Sequence, residues 1–338
     1  MTRSDRFSLI QTIEKQRDSK ILVFFIGDRR GLETRIAADS LPFCLNHLNE
    51  MGKQKKIDLF LYSTGGVAMD AYGLVNVIRE FCDSLNVIIP FKAFSAATLI
   101  SLGANEILMT KMGQLSPIDP SVNSPFGPQI VIPGQQLVQT VPINVEDVVG
   151  YLDIARNELG IKDEDLMQRV LDRLSQSVNP LALGAVNRSR EQIGFLARTL
   201  LSQHMEDGSK VDKIVETLSR RRFSHNYLIG RKEAKSSLGL NVVDLSNSLE
   251  QTITSLYGQY NDLLELSNPY SAEIALGSQE SNTVGLNRAI IESVSRTHVY
   301  RTTRAIRRVE VTTPEIGTPT VAYQERVISE SWVLDNTI

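Results

Sequence analysis

The chain has few cysteines and little net charge, and these shortages exclude several classes of protein. Only two cysteines, Cys44 and Cys82, occur in 338 residues, and both lie in apolar stretches. A disulfide framework or a cysteine metal centre is therefore not expected, and two buried thiols fit a reducing compartment. A formal net charge of −3 gives no general attraction to nucleic acid or to an anionic membrane surface.

Long hydrophobic runs are also lacking. No segment approaches the roughly 18 uninterrupted apolar residues that a membrane-spanning helix needs, and residues 1–6 lack the apolar stretch of a signal peptide. We therefore expect a cytoplasmic protein without membrane attachment. What the chain does have is 42% hydrophobic residues, which is ample for a proper core in one large or two moderate domains.

Apolar runs alternate with helical patterns along the first half of the chain, which indicates a layered α/β fold. A long loop rich in proline, serine and glycine follows at 113–134, and the pattern is then helical. Predicted strands lie at 21–26, 57–62, 87–90, 106–109 and 240–243, with predicted helices at 40–49, 67–81 and after Ser95.

The C-terminal part differs in pattern. A helix is predicted at 250–266, a polar linker at 277–282, and two strands of alternating polarity at 299–311 and 318–333 that form a β-hairpin. The sequence thus predicts a core domain at 1–249, with a helical insertion at about 145–205, and a C-terminal extension at 250–338 that consists of a helix, a linker and the hairpin appendage.

Two short motifs carry the predicted chemistry. Gly65 and Gly66 close one strand, and adjacent glycines let backbone N–H groups approach a reacting oxygen without an intervening Cβ. Ser95 and Ala96 follow the next strand and open a helix of small residues, where developing negative charge is favoured. Together these motifs predict an oxyanion hole that faces a nucleophilic serine.

Each motif also has a purely structural interpretation. Two glycines after a strand can form an ordinary tight turn, and serine is a favoured helix N-cap without any catalytic role. Both interpretations stay open on the residues alone.

The order of five motifs resembles the serine dehydrogenase proteinase family. That family belongs to the Clp protease and crotonase superfamily, which also contains signal peptide peptidase A. The resemblance covers roughly residues 5–245. The motifs are Thr64-Gly65-Gly66, Ala93-Phe94-Ser95-Ala96-Ala97-Thr98-Leu99-Ile100, Ser116-Pro117-Ile118-Asp119-Pro120, Pro180-Leu181-Ala182-Leu183-Gly184, and Glu233-Ala234-Lys235 through Gly239-Leu240.

The resemblance implies a Clp/crotonase-like spiral of β-β-α units and a serine protease that cleaves peptide bonds without cofactor or metal. Ser95 is then the nucleophile, and the amides around Gly65, Gly66 and Ala96 form the oxyanion hole. It further implies a peptide or protein substrate and a homo-oligomer, to which we add the hypothesis that the C-terminal extension docks a regulatory partner.

The general base departs from the Clp pattern. In Clp-type peptidases a histidine follows the serine in the region where this chain has Asp119, and an aspartate occupies the region where this chain has His225. The two side chains look exchanged, so His225 is the expected base and Asp119 the group that orients it. Signal peptide peptidase A uses a lysine instead, which makes Lys111, and after it Lys92, the alternative bases.

Two other functions remain open on the sequence. Without the Clp-type histidine, the chain could be a catalytically silent or partner-activated scaffold of the same fold. A crotonase-like acyl-CoA enzyme would share the paired amides and would not need Ser95.

Overall fold

The computed structural model describes residues 2–118, 121–122, 125–131, 138–141, 143–220, 227–312 and 319–338. Strands and α-helices alternate through most of this chain. The strands are β1 (Lys20–Ile26), β2 (Gln54–Tyr62), β3 (Cys82–Ile89), β4 (Lys92–Ala93), β5 (Glu106–Met109), β6 (Gln114–Leu115), β7 (Ser121–Val122), β8 (Gln129–Val131), β9 (Val138–Thr140), β10 (Ile143–Asn144), β11 (Ile229–Gly230), β12 (Val242–Val243), β13 (Ser281–Glu292), β14 (Thr297–Thr312) and β15 (Pro319–Leu334). The α-helices are α1 (Arg3–Arg17), α2 (Leu41–Met51), α3 (Ala68–Arg79), α4 (Ala96–Leu102), α5 (Val145–Asp153), α6 (Glu164–Ser177), α7 (Pro180–Ser202), α8 (Gly208–Arg220), α9 (Arg231–Ser236), α10 (Asn247–Leu263) and α11 (Ala272–Leu276).

The largest sheet is mixed and has the strand order β12-β5-β3-β2-β1-β13-β14-β15. Strands β12, β5, β3, β2 and β1 are parallel, whereas β13 runs antiparallel to β1 and continues into β14 and β15. A small second sheet joins β4 to β6 and β6 to β11. A mixed α/β fold is therefore confirmed.

The parallel strands are buried on both faces. Phe25 and Tyr62 stack with ring centroids 4.3 Å apart in a cluster with Ile13 of α1 and Leu256 of α10. The alternate residues of β1, such as Phe24, are equally buried, and helices α2 and α3 contact β1 and β3. Burial on both faces explains why these strands read as continuous apolar runs in the sequence.

The chain divides into two compact units. One consists of Met1–Leu115 with Ile229–Ile338, and the other is Ser116–Leu228. The second unit contains α5 to α8 and has a small apolar cluster around Ile143, Ala182 and Val186. The predicted helical segment at 145–205 falls within this unit.

The C-terminal strands differ from the expected arrangement in one respect. The residues expected to form a linker at 277–282 lead directly into β13, whose Ser281 and Asn282 already pair with β14. Strand β13 then pairs with β1 through residues from Ala289 to Glu292. The C-terminal residues therefore share a compact unit and a sheet with residues of the predicted core, because β13 supplies the antiparallel partner of β1.

Candidate active site

Two loops meet where the parallel strands end. After β2 the chain continues through Ser63 into the bend at Gly65 and Gly66, and after β3 it passes through β4 to Ser95. The Ser63 amide donates to the carbonyl oxygen of Lys92 (3.0 Å), and the Phe94 amide donates to the carbonyl oxygen of Ser63 (3.0 Å). These two backbone hydrogen bonds hold the glycine bend beside the turn that carries Ser95.

Ser95 has a strained backbone and lies at the start of α4. Its φ is 53° and its ψ is −115°, which is outside the left-handed helical region that non-glycine residues occasionally adopt. The residue occupies the N-cap position, yet its side chain makes no capping hydrogen bond, and it is half-buried. Helix capping therefore does not account for this serine, and strain of this kind is typical of functional turns.

Both positions of the bend require glycine, because neighbouring residues come too close to leave room for a side chain. Gly65 has φ 122° and Gly66 has φ 154°, conformations that other residues rarely adopt. A Cβ on Gly65 would lie 2.9 Å from the Ser95 Cβ and 3.3 Å from its Oγ, and one on Gly66 would lie 2.2 Å from the carbonyl oxygen of Ile36. The bend therefore touches the Ser95 side chain on one side and the Ile36 backbone on the other.

The backbone donors of the bend are not equivalent. The Gly65 N–H donates to the Ser63 Oγ (3.0 Å), so it is already used within the bend. In the part of the chain that the structure describes, the N–H groups of Gly66 and Ala96 donate no hydrogen bond. Gly66 is also exposed. Two amides, one from each loop, thus have no acceptor among the described residues.

Residues 3–149 match the family model of the ClpP-like SDH-type serine proteinases. The resemblance to this proteinase family that the sequence predicted is confirmed over those residues. The match includes the glycine bend, Ser95 and the Asp119 segment, and it ends before the motifs at Pro180 and Glu233.

Similar curated proteins carry no assigned activity. Uncharacterized protein MJ0137 of Methanocaldococcus jannaschii is 25% identical over 207 residues, which cover 61% of this chain and 60% of that protein. Uncharacterized protein MJ1495 of the same organism is 27% identical over 125 residues, which cover 35% of this chain and 42% of that protein. This chain thus spans less than two thirds of the length of either relative.

Among solved structures, a mutant of the membrane-bound stomatin-specific protease 1510-N covers 69% of this chain and 80% of its own, at 15% identity and a TM-score of 0.35. That TM-score is too low to support any inference. None of the helices in the described ranges is both long and apolar enough to cross a membrane.

Of the two alternative bases, Lys92 is held in an ion pair. Its Nζ lies 2.6 Å from the Asp28 Oδ2, and the Tyr62 hydroxyl donates to the other oxygen of the same carboxylate (2.7 Å). Burial, followed by the charge of Asp28, raises the pKa of Tyr62, so the phenol stays protonated and donates. The Lys92 ammonium is thus bonded to a carboxylate, and this contact disfavours Lys92 as a base for Ser95.

The other alternative base, Lys111, is exposed. Its side chain is 74% accessible to solvent, and its Nζ lies 3.6 Å from the Glu250 Oε2. Its backbone amide donates to the other oxygen of Glu250 (2.7 Å). A lysine that acts as a base must lie in a desolvated site. The Lys111 side chain instead faces solvent and a carboxylate, and this environment disfavours it as the base.

The other two expected catalytic residues, Asp119 and His225, lie outside the described residues. Sequence reasoning also missed one polar group of the site, the Ser63 hydroxyl. The sequence does carry a signal for it. Ser63 stands two residues before Gly65, and a serine at this spacing is typical of a turn in which the hydroxyl bonds to the backbone two residues on.

Proposed function

We propose that this chain is a serine peptidase of the ClpP-like SDH type, in which the Ser95 Oγ attacks the carbonyl carbon of a peptide bond. The proposal depends above all on how closely the glycine bend approaches the serine. A Cβ added to Gly65 would lie only 3.3 Å from the Ser95 Oγ. A hydroxyl in a strained strand-to-helix turn is also how the nucleophilic serine of α/β-hydrolases is presented.

The amides of Gly66 and Ala96 are proposed to bind the oxyanion of the tetrahedral intermediate. Both N–H groups are uncommitted in the described chain, and donors aimed at developing charge stabilise it without reorganisation. Gly65, the third residue of the predicted hole, contributes close approach, because its own N–H is bonded to Ser63.

The proposed base is His225, oriented by Asp119. The imidazole takes the Ser95 proton as the hydroxyl attacks, gives it to the leaving amine, and later activates the water that hydrolyses the acyl-enzyme. The ion pair of Lys92 and the exposure of Lys111 support this choice over either lysine.

The finer architecture and assembly also belong to the proposal. We infer a Clp/crotonase-like spiral with a helical insertion at 145–205 and a C-terminal extension at 250–338. We further infer a cytoplasmic homo-oligomer that acts on peptides or proteins, with the extension available to a regulatory partner. Light scattering of the purified chain tests the oligomer, and a monomeric mass would contradict it.

A fluorophosphonate probe and casein hydrolysis test the function. Wild-type protein should take up the probe and cleave casein, and Ser95→Ala should do neither. Ser101→Ala is the matched control, because Ser101 lies in the same loop-helix segment, is fully buried and donates its hydroxyl to the carbonyl oxygen of Ala97. It should be labelled like wild type. Labelling that persists in Ser95→Ala would overturn the nucleophile assignment.

The base is tested with the same probe. His225→Ala should lower the labelling rate about 100-fold or more, as expected when a general base is lost, whereas Lys92→Met and Lys111→Met should each retain a rate near that of wild type. Loss of labelling only in a lysine variant would move the base to that lysine.

A further inference from the structure

Ser63 is bonded to both loops of the candidate site. Its side chain is fully buried, and its Oγ accepts from the Gly65 N–H (3.0 Å) and donates to the Gly65 carbonyl oxygen (3.2 Å). Its backbone bonds to Lys92 and Phe94 on the segment that leads to Ser95. One small residue therefore connects the glycine bend to the serine turn.

The bond to the Gly65 carbonyl has a geometric consequence for the next amide. The Gly65 C=O and the Gly66 N–H belong to one planar trans peptide group, so they point in opposite directions. The carbonyl is held by the Ser63 Oγ and by the Ile36 amide, which donates to it at 2.9 Å. Fixing this carbonyl therefore fixes the Gly66 N–H on the opposite side.

A peptide group between two glycines needs such restraint. Glycine adopts positive and negative φ about equally well, so the Gly65–Gly66 peptide has no steric reason to keep one orientation. If it rotated, the Gly65 carbonyl oxygen would replace the Gly66 N–H and would repel an oxyanion. The Ser63 hydroxyl opposes this rotation by bonding both polar groups of Gly65.

We propose that Ser63 is a positioning residue that locks the Gly65–Gly66 peptide with the Gly66 N–H as an oxyanion donor. This inference rests on the proposed function, since it assigns the donor for a reaction at Ser95. Ser63 acts through the bend and does not itself touch the reacting atoms.

Labelling kinetics test the catalytic part of the inference. Removing an oxyanion donor costs about 100- to 1000-fold in rate, and partial loss of its orientation should cost at least about tenfold. Ser63→Ala should therefore react with the fluorophosphonate probe at least about tenfold more slowly than wild type, whereas Ser101→Ala, which also loses a fully buried hydroxyl, should stay within about twofold. Equal rates for Ser63→Ala and wild type would overturn the inference.

Amide hydrogen exchange tests the lock without any catalytic readout. In wild type the Gly65 amide should be protected by the Ser63 Oγ, and in Ser63→Ala its exchange should accelerate up to about tenfold, as loss of one hydrogen bond implies. Ser101→Ala should leave Gly65 exchange unchanged. Unchanged protection in Ser63→Ala would overturn the lock even if labelling slowed.

The two measurements separate this inference from the proposed function. A wild-type protein that takes no label overturns the function and the catalytic role of Ser63 together. A labelled wild type with an equally reactive Ser63→Ala overturns the positioning role alone and leaves the nucleophile assignment intact.

Discussion

Strands β1, β2 and β3 are buried on both faces, whereas β15, in the same sheet, exposes most of its side chains. Val321, Val327, Ile328 and Leu334 of β15 are each about half exposed or more. The parallel strands also end at the glycine bend and the Ser95 turn, while β14 and β15 extend 16 residues each. Apolar packing on both faces therefore holds the parallel part of the sheet, which carries the candidate site. The outer part, formed by β14 and β15, lacks such packing along most of β15.

The two parts are joined by a buried polar cluster at the end of β13. Glu292 is fully buried and accepts from Arg6 of α1 through both carboxylate oxygens (2.8 and 2.9 Å). It also accepts from the hydroxyls of Tyr260 (2.5 Å) and Thr297 (2.6 Å). Burial, and then the charge of Glu292, raises the pKa of Tyr260 well above its usual value, so the phenol remains a donor. Every oxygen of this carboxylate is thus bonded, as a buried charge requires.

The largest predicted effect is the loss of this junction. Glu292→Gln should lower the free energy of unfolding by about 3–5 kcal/mol, because the buried Arg6 guanidinium loses its carboxylate partner and keeps its bond to the Ile338 oxygen (2.9 Å). Chemical denaturation followed by circular dichroism measures it. The double variant Arg6→Met with Glu292→Met should lose less than Glu292→Gln alone, since it leaves no unpaired charge. A larger loss in the double variant would show that the pair itself stabilises the junction.

A cavity in the parallel part should have the next largest effect. Leu59 on β2 is fully buried, and Leu59→Ala should cost at least about 2 kcal/mol of unfolding free energy through lost burial and the space left behind. The same denaturation experiment measures it. Val321→Ala on β15 is the matched control and should change stability by less than about 0.5 kcal/mol. Equal losses at the two positions would contradict the proposed difference between the two parts of the sheet.

Acid should weaken the contact between α2 and the C-terminal strands. His47 is fully buried, and its ring nitrogens lie 2.8 Å from the Ser293 Oγ and 3.0 Å from the His298 Nδ1. Burial, followed by the nearby charges of His298 and Arg296, lowers the pKa of His47 to about 3. Burial and Arg296 also lower the pKa of His298. The His47 ring is therefore neutral in the folded protein well below neutral pH.

The sign of the pH effect follows from this lowered pKa. An unfolded histidine has a pKa of about 6.5, so between that pH and about 3 the unfolded chain binds the proton and stability falls as pH falls. From pH 7.5 to pH 5 the His47 contribution should decrease by about 2 kcal/mol. Denaturation at both pH values should show this extra loss in wild type and not in His47→Gln. Equal pH dependence of the two proteins would remove His47 as its source.

The sequence predicted the buried part of the sheet better than the outer part. The strand predicted at 57–62 lies within β2 at Gln54–Tyr62, because a run that is apolar apart from Asp58 is typical of a strand buried on both faces. Strand β13 was missed, since its first residues, Ser281, Asn282 and Thr283, are polar and Gly285 follows. Those positions gain their strand structure from pairing with β14, a long-range contact that local composition does not encode.

The candidate site shows the same division. The spacing of the glycine bend and Ser95 behind neighbouring strands predicted that they would meet, because parallel strands end at a common edge. The ion pair of Lys92 with Asp28 could not be predicted, since it depends on which way two side chains turn in the folded protein, whereas the bond of the Ser63 hydroxyl to Gly65 had a local sequence signal that was overlooked. The strained φ of Ser95 likewise follows from the contacts of the folded turn.

The smallest predicted effect comes from the outer strands. It is tested by a change from glutamate to glutamine, the same type of change that is expected to have the largest effect at Glu292. The Glu325 Oε2 on β15 lies 3.1 Å from the Arg304 Nη1 on β14, and both side chains are partly exposed. Glu325→Gln should lower the unfolding free energy by about 1 kcal/mol or less, because a solvated ion pair gains little over its hydration. The difference in unfolding free energy between Glu325→Gln and wild type should shrink further in about 1 M salt, where charges are screened within about 3 Å. A loss as large as that of Glu292→Gln would mean that the outer strands contribute as much to stability as the buried junction, and the contrast between the two parts of the sheet would be wrong.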